Sequence, residues 1–273
     1  MAAEQQPFTR LRLEKDRGVA RVTLARPEVR NAFDDVLVAE LARAFGQLSS
    51  DPGTRVVVLS GEGPVFCAGA DVNWMRKAGG YSEAENEADA AKMSMMLRSI
   101  DACGKPVVAL AHGAAIGGGV GLVAAADIAI AAESTVFALS EVKLGILPSV
   151  ISPYVLRAVG QRQARNIFLT GDRFDAREAH RIGLVHQVVA PEDLAVTGER
   201  FVASLLTSGP EAVVVAKRLI EMVAGRKVDE VMALTVLTIA ERRASDEAKE
   251  GLTAFLEKRP PSWVKKPEPP AGS

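Results

Sequence analysis

The run Pro106-Val-Val-Ala-Leu-Ala-His-Gly-Ala-Ala-Ile-Gly-Gly-Gly-Val-Gly-Leu-Val-Ala-Ala-Ala126 decides the architecture. Its residues from Val107 to Ala126 carry no formal charge, and a stretch of roughly 20 such residues meets the length criterion for a membrane span. The composition argues against one. Gly113, Gly117, Gly118, Gly119 and Gly121 interrupt the middle, His112 stands beside them, and the opening Pro-Val-Val-Ala-Leu is β-branched. A buried strand, a glycine turn and a buried helix account for the whole run.

Reading outward, the same alternation recurs. Leu11 and Leu13, then Ala20, Val22 and Leu24, alternate with polar residues about Asp16-Arg17-Gly18, which predicts a hairpin with one covered face. With Asn31 as the expected N-cap, Leu37, Leu41, Ala44, Phe45 and Leu48 follow at helical spacing until Asp51-Pro52-Gly53 ends the helix. A strand at Arg55 to Ser60, a helix carrying Met93, Met96, Leu97 and Ile100, and strands near Ile128 and Phe137 continue the pattern. Strands interleaved with helices place the chain in the α/β class. Beyond Ser152 the signals are helical, apart from a strand expected at Leu184 to Val189. The expected organisation is an α/β core over 1–200, a helical region over 201–258 and a Pro-rich, extended tail over 259–273, where five of the chain's 14 prolines fall.

Composition closes off other classes. The chain has 273 residues, 48% of them apolar and 25% charged, as in an ordinary globular protein. Lys and Arg number 33 against 34 Asp and Glu, so no positive field is available to hold a phosphate backbone, and nucleic acid is not an expected partner. Cys67 and Cys103 form no metal-ligand pattern and cannot build a disulfide framework, which suits a reducing cytoplasm. The first 17 residues contain neither a basic start followed by an apolar run nor an Arg/Ser-rich transit pattern. A cytoplasmic protein without a membrane partner is the expectation.

Three stretches carry chemistry. Gly61-Glu-Gly-Pro-Val-Phe-Cys-Ala-Gly-Ala-Asp71 joins a strand to a helix starting near Asp71, and its small residues let a ligand approach the main chain at a helix N-terminus. Taken alone, a glycine-rich turn with Asp71 as a helix cap is the better explanation. His112 to Gly121 repeats the construction, and two such turns can aim two N–H groups at one carbonyl oxygen. The strict dinucleotide pattern GxGxxG fails at Leu122, the phosphate loop lacks its lysine after Gly118, and no GxSxG nucleophile elbow occurs. In Phe137-Ala-Leu-Ser-Glu-Val-Lys-Leu-Gly-Ile-Leu-Pro148, Glu141 stands among apolar neighbours, where desolvation would raise its pKa toward that of a useful acid/base.

The order and spacing of these stretches resemble the crotonase, or enoyl-CoA hydratase/isomerase, superfamily. The resemblance runs from Arg26-Pro-Glu-Val-Arg-Asn-Ala through Phe66-Cys-Ala-Gly-Ala-Asp, His112-Gly-Ala-Ala-Ile-Gly-Gly-Gly, Ala126-Asp-Ile-Ala, Ser140-Glu-Val-Lys-Leu-Gly and Gly183-Leu-Val to Gly251-Leu-Thr-Ala-Phe-Leu-Glu-Lys-Arg259. It implies a spiral of ββα units, a helical C-terminal trimerisation region, a homotrimer or dimer of trimers, and an acyl-CoA thioester as substrate. Coenzyme A enters only as part of that substrate, and no metal, flavin or nicotinamide is implied. By position, the N–H groups of Ala70 and Gly118 would hold the thioester oxygen, with Glu141 as the catalytic carboxylate. Arg30 matches the position near the CoA phosphates, Ala68 and Asp71 those around adenine and pantetheine, and Trp74 one flanking the nucleotide. Phe255 and Lys258 match positions reaching a neighbouring subunit's CoA. A surface arginine, a packed alanine, a helix cap, a half-buried aromatic and an amphipathic helix face are the plainer readings of the same residues.

Two positions depart from the family pattern. Two-glutamate hydratases carry their first glutamate where this chain has Gly121, a position expected to border the substrate, and Pro148-Ser-Val-Ile-Ser-Pro-Tyr154 replaces a glycine-rich pocket loop. Both features are similar to the bacterial branch of methylglutaconyl-CoA hydratases, which implies reversible hydration of 3-methylglutaconyl-CoA to 3-hydroxy-3-methylglutaryl-CoA in leucine catabolism. An isomerase using one carboxylate, and a non-catalytic acyl-CoA-binding or RNA-associated scaffold, are the alternatives. Retention of Glu141 with both glycine turns weighs against the scaffold.

Overall fold

The computed structural model describes residues 7–264. They fall into two compact units, one through Phe201 and the other from Val202 onward.

In the first unit, β1 (Leu11–Asp16) and β2 (Val19–Leu24) form the expected hairpin, turning through Arg17 and Gly18 at positive φ. Helix α1 (Asp35–Ser50) follows, and Leu37, Leu41, Phe45 and Leu48 on its inner face are fully buried. Each is worth roughly 1.5–3 kcal/mol in transfer free energy. Its N-cap is Asp34, whose carboxylate accepts from Leu37 N at 2.8 Å, rather than Asn31. Asn31 is at φ 55° and spends its side chain elsewhere: Oδ1 accepts from Arg26 N, while Nδ2 donates to the carbonyls of Glu62 and Val65.

Strand β3 (Val56–Gly61), short helix α2 (Val72–Ala78) and long helix α3 (Glu83–Asp101) come next, α3 opening with a reciprocal Ser82/Glu85 cap. The charge-free run resolves into β4 (Val107–Ala111), β5 (Ala114–Ile116) and α4 (Gly118–Ala125), every residue of α4 being buried. Among the described residues no helix is long and apolar enough to cross a membrane. Strands β6 (Ile128–Ala132) and β7 (Val136–Ala138), helix α5 (Ser152–Thr170, broken at Gly160), strand β8 (Arg173–Asp175), helix α6 (Ala176–Arg181) and strand β9 (Gln187–Val189) complete the alternation. The last strand is shorter than expected, because Leu184 and Val185 bond back to the Ala179 carbonyl at the end of α6.

Two sheets result. One has the order β1-β2-β3-β4-β6-β9, parallel except for the first pair, and the other has the order β5-β7-β8. Parallel β5 and β7 put Ile116 beside Ala138, so the strand entering α4 lies next to the one leading to Glu141.

Helix α7 (Leu194–Thr207) leads into the second unit, which adds α8 (Pro210–Val223), α9 (Val228–Ala244) and α10 (Asp246–Leu256). The Glu247 carboxylate accepts from the first amides of α8, Glu211 N and Ala212 N, both at 2.8 Å, and Arg242 bridges Glu211 and Glu247. The tail expected to be extended from 259 is held over its first residues. Arg259 pairs with Glu250 and Glu257, Ser262 N donates to Glu250, and Trp263 Nε1 donates to the Thr207 carbonyl. Positions 265–273 of that tail lie outside the described residues.

Candidate active site

The two glycine turns are joined by main-chain bonds. Phe66 N donates to His112 O at 2.8 Å, Cys67 N to Ala114 O at 3.0 Å, and Ile116 N returns to Cys67 O at 3.0 Å. A second set fixes the first turn against the segment before α1. Ala68 N donates to Arg30 O, Phe33 N to Gly69 O and Asp71 N to Phe33 O. Gly117 N donates to Ala138 O at 2.8 Å, which ties the α4 entrance to the segment carrying Glu141. Residues from three distant parts of the sequence are therefore brought to one place by backbone geometry.

Some main-chain donors are left over. Among the described residues no protein acceptor takes the N–H of Ala70 or of Gly118. The first belongs to an exposed residue just before α2, the second to the first residue of α4, where helix N–H groups have no intrahelical partner. Such an arrangement suits a developing negative charge on oxygen.

Glu141 lies in a short 3-10 helix, Ser140–Leu144, beside Gly117. Gly117 has φ 52° and ψ −116°, and a Cβ there would stand 2.9 Å from Glu141 Oε1, so glycine is required for both reasons. The other carboxylate oxygen, Oε2, is buried without a hydrogen-bond partner among the described residues. Burial pushes the carboxyl above the ordinary range of a glutamic acid, opposed in part by its own backbone N–H. An unpaired, desolvated carboxylate is poor at stabilising a fold and well suited to moving protons.

Next to Ala70 opens a pocket of about 270 Å³, lined on one side by Trp74 and Met75 of α2, on another by Asn86, Asp89 and Met93 of α3, and on a third by Leu147, Ser149 and Val150. Met93 links the pocket to α4: its Cε stands 2.7 Å from the place of a Cβ on Gly118. Trp74 keeps its indole N–H buried and without an acceptor among the described residues.

The remaining expected residues are spread out. Ala68 is half-buried between Arg30 and Ala70, and Arg30 is exposed at φ 54°. Asp71 is buried with both carboxylate oxygens engaged. One oxygen caps α2 by accepting from Asn73 N, and the other pairs with buried Arg26, which also pairs with Asp34. Gly121 does not open onto the pocket, because a Cβ there would stand 2.4 Å from Ile151 Cγ2. Phe255 and Lys258 belong to the second unit, Phe255 with 79% of its surface exposed. Sequence reasoning missed Arg26 and Asn31 as the buried polar frame of the first turn. The sequence offered no separate signal for this role, since Asn31 reads as a helix cap and partners of both residues come from distant segments.

An enoyl-CoA hydratase/isomerase family model matches residues 14–266. The chain belongs to that family. A crystallised enoyl-CoA hydratase from Shewanella pealeana is 39% identical, with a TM-score of 0.91 over 94% of this chain and 96% of its own. The crotonyl-CoA hydratase of Syntrophomonas wolfei is 34% identical over 93% of this chain and 97% of its length. The short-chain-enoyl-CoA hydratase of Clostridium acetobutylicum is 32% identical over 90% and 94%. The fold is thus the crotonase fold, and this member of the enoyl-CoA hydratase/isomerase family is an enzyme of the hydro-lyase type.

Proposed function

We propose that the chain adds water reversibly to a short, branched enoyl-CoA, with 3-methylglutaconyl-CoA in leucine breakdown as the substrate. The observation that supports the reaction type is a desolvated Glu141 packed beside Gly117, at the entrance of the helix whose first amide, on Gly118, has no acceptor among the described residues. In this mechanism the thioester oxygen accepts hydrogen bonds from Ala70 and Gly118. Glu141 takes a proton from water as the water oxygen bonds to C3, and the electron pair of the C2–C3 double bond moves onto the thioester oxygen as an enolate. Return of the same proton from Glu141 to C2 collapses the enolate, so one carboxylate serves both steps. Arg30, Ala68 and Trp74 form the proposed CoA side of the site.

Support for the acidic substrate is the paired presence of Ser140-Glu-Val-Lys-Leu-Gly and Val150-Ile-Ser-Pro-Tyr154. One observation favours a second reading, a neutral short enoyl chain: among the described residues the pocket is lined by Asp89 and by no lysine or arginine. Turnover of 3-methylglutaconyl-CoA beside crotonyl-CoA and 3-methylcrotonyl-CoA separates them. The proposed substrate should lead in kcat/KM, and a lead by either neutral thioester assigns the second reading. Running the assay in deuterated water with product analysis distinguishes added oxygen from a moved double bond, and therefore hydratase from isomerase.

For the assembled state the proposal is a homotrimer or dimer of trimers in the cytoplasm. In the second unit Val228, Met232, Val236, Leu237 and Ile239 of α9, and Leu252, Phe255 and Leu256 of α10, are large apolar side chains left exposed. Exposed apolar side chains in this number support an association surface on these two helices. Light scattering is expected to return three or six times the mass of one chain, and an active monomer at micromolar concentration would contradict it.

A further inference from the structure

Gly121 lies one turn after Gly118 on α4 and is fully buried. A methyl group on its α-carbon would stand 2.4 Å from Ile151 Cγ2, 3.0 Å from Ile151 Cβ and 3.5 Å from Leu97 Cδ2. Carbon atoms do not approach to 2.4 Å, so Ile151 can seat here only because position 121 has no side chain. Ile151 is 2% exposed, and the residues immediately before it, Leu147, Ser149 and Val150, face the pocket. It is the buried foot of that wall. The segment is short and internally bonded, with Ser149 N donating to Leu147 O and Ser152 N to Ser149 O, so foot and wall move together. Leu97, the third member of the contact, lies one turn along α3 from Met93, which lines the opposite side of the pocket and abuts Gly118.

We propose that the Gly121–Ile151 contact sets the width of the acyl pocket, making Ile151 a specificity-determining residue. The two departures from the family pattern are then one packing unit: the bare glycine admits the isoleucine, and the isoleucine fixes the distance between the pocket wall and the helix that presents Gly118. Interiors are packed too densely to absorb a change of even one methyl group without movement. Trimming Ile151 leaves room for Val150 and its neighbours to retreat from the acyl space.

The inference rests on the enoyl-CoA reading, and its test keeps the two apart. The selectivity ratio is kcat/KM for 2-hexenoyl-CoA over that for crotonyl-CoA, measured in the parent, Ile151→Val, Ile151→Ala and the double variant Gly121→Ala/Ile151→Ala. Ile151→Ala should raise the ratio about tenfold, the lower end of what a methylene is worth in an apolar pocket. Ile151→Val should move it in the same direction by less, and the added methyl at 121 should reverse at least half of the Ile151→Ala shift. The same ratio taken from dissociation constants of hexanoyl-CoA and butyryl-CoA involves no chemistry. A ratio within threefold of the parent's in both folded single variants, by turnover and by binding, overturns the proposal, as does a double variant that shows no reversal. A parent that binds the saturated thioesters and turns over no enoyl thioester overturns the hydratase reading instead, and the pair is then judged on the binding ratio.

Discussion

Glu141→Gln should bind saturated acyl-CoA as the parent does while losing about 10²- to 10⁴-fold in kcat, the range of a positioned general acid/base. The substitution preserves shape and removes only the ability to take a proton, so KM should change little. The pH dependence follows from burial, which raises the Glu141 pKa. To accept the water proton the group must be ionised, so hydration should fall as pH drops through a midpoint above the ordinary carboxylate range. Stability moves the opposite way. In the unfolded chain Glu141 loses its proton near the ordinary glutamate value, and in the folded protein it does so only at higher pH. Between those points the folded state binds more protons, and the contribution of this group to stability declines as pH rises. Glu141→Gln should therefore melt at or above the parent temperature at pH 7, with the gap closing below the unfolded value. Turnover within threefold of the parent's would remove Glu141 from the mechanism.

The Gly118 donor is isolated by comparing Gly118→Ala with Gly118→Pro. Each adds a Cβ that would stand 2.7 Å from Met93 Cε and from Phe33 Cε2, so that part of the packing cost is shared, and proline is compatible with the first position of α4. Only proline deletes the N–H. Its kcat should lie about 10²- to 10³-fold below that of the alanine variant, the usual consequence of removing one donor to a developing oxyanion. Thermal melting of both variants checks that the comparison is between folded proteins. Equal turnover by the two would assign the stabilisation of negative charge to some other group.

The regular elements were legible because their burial is periodic. Helix α1 declares itself through Leu37, Leu41, Phe45 and Leu48, and β4 through its β-branched start at Val107 and Val108. The three-residue strands β5 and β8 are too short to show a period and lie in no longer apolar run, although β5 is the one that sets the two glycine turns side by side. Asn31 misled because an amide before an apolar period resembles a helix cap, whereas its partners, Glu62 and Val65, come from a loop 31 and 34 residues downstream. Asp71 was legible as a cap from its place before α2, but its ion pair with Arg26 required the folded chain. Gly121 was visible as a departure from pattern. What fills the space it leaves, Ile151, lies 30 positions later in the second departure, and nothing in the sequence joins the two.

The main-chain stitching of Phe66, Cys67, Ala114 and Ile116 has a consequence for how damage to this enzyme would be distributed. Because the donor proposed at exposed Ala70 is an amide that almost every amino acid possesses, a saturation screen is expected to score Ala70 as permissive although the proposed mechanism uses its N–H. Intolerance would gather instead at neighbours that never meet the thioester: Gly69, where a Cβ would strike the Ile116 carbonyl at 2.9 Å, Gly113, where it would strike Pro64 O at 2.0 Å, and Asn31, whose amide supports the turn from beneath. A mutational map of this protein is expected to outline the scaffold of the proposed oxyanion hole, to mark Gly118 for its packing against Met93 and Phe33, and to leave the other donor, Ala70, nearly blank.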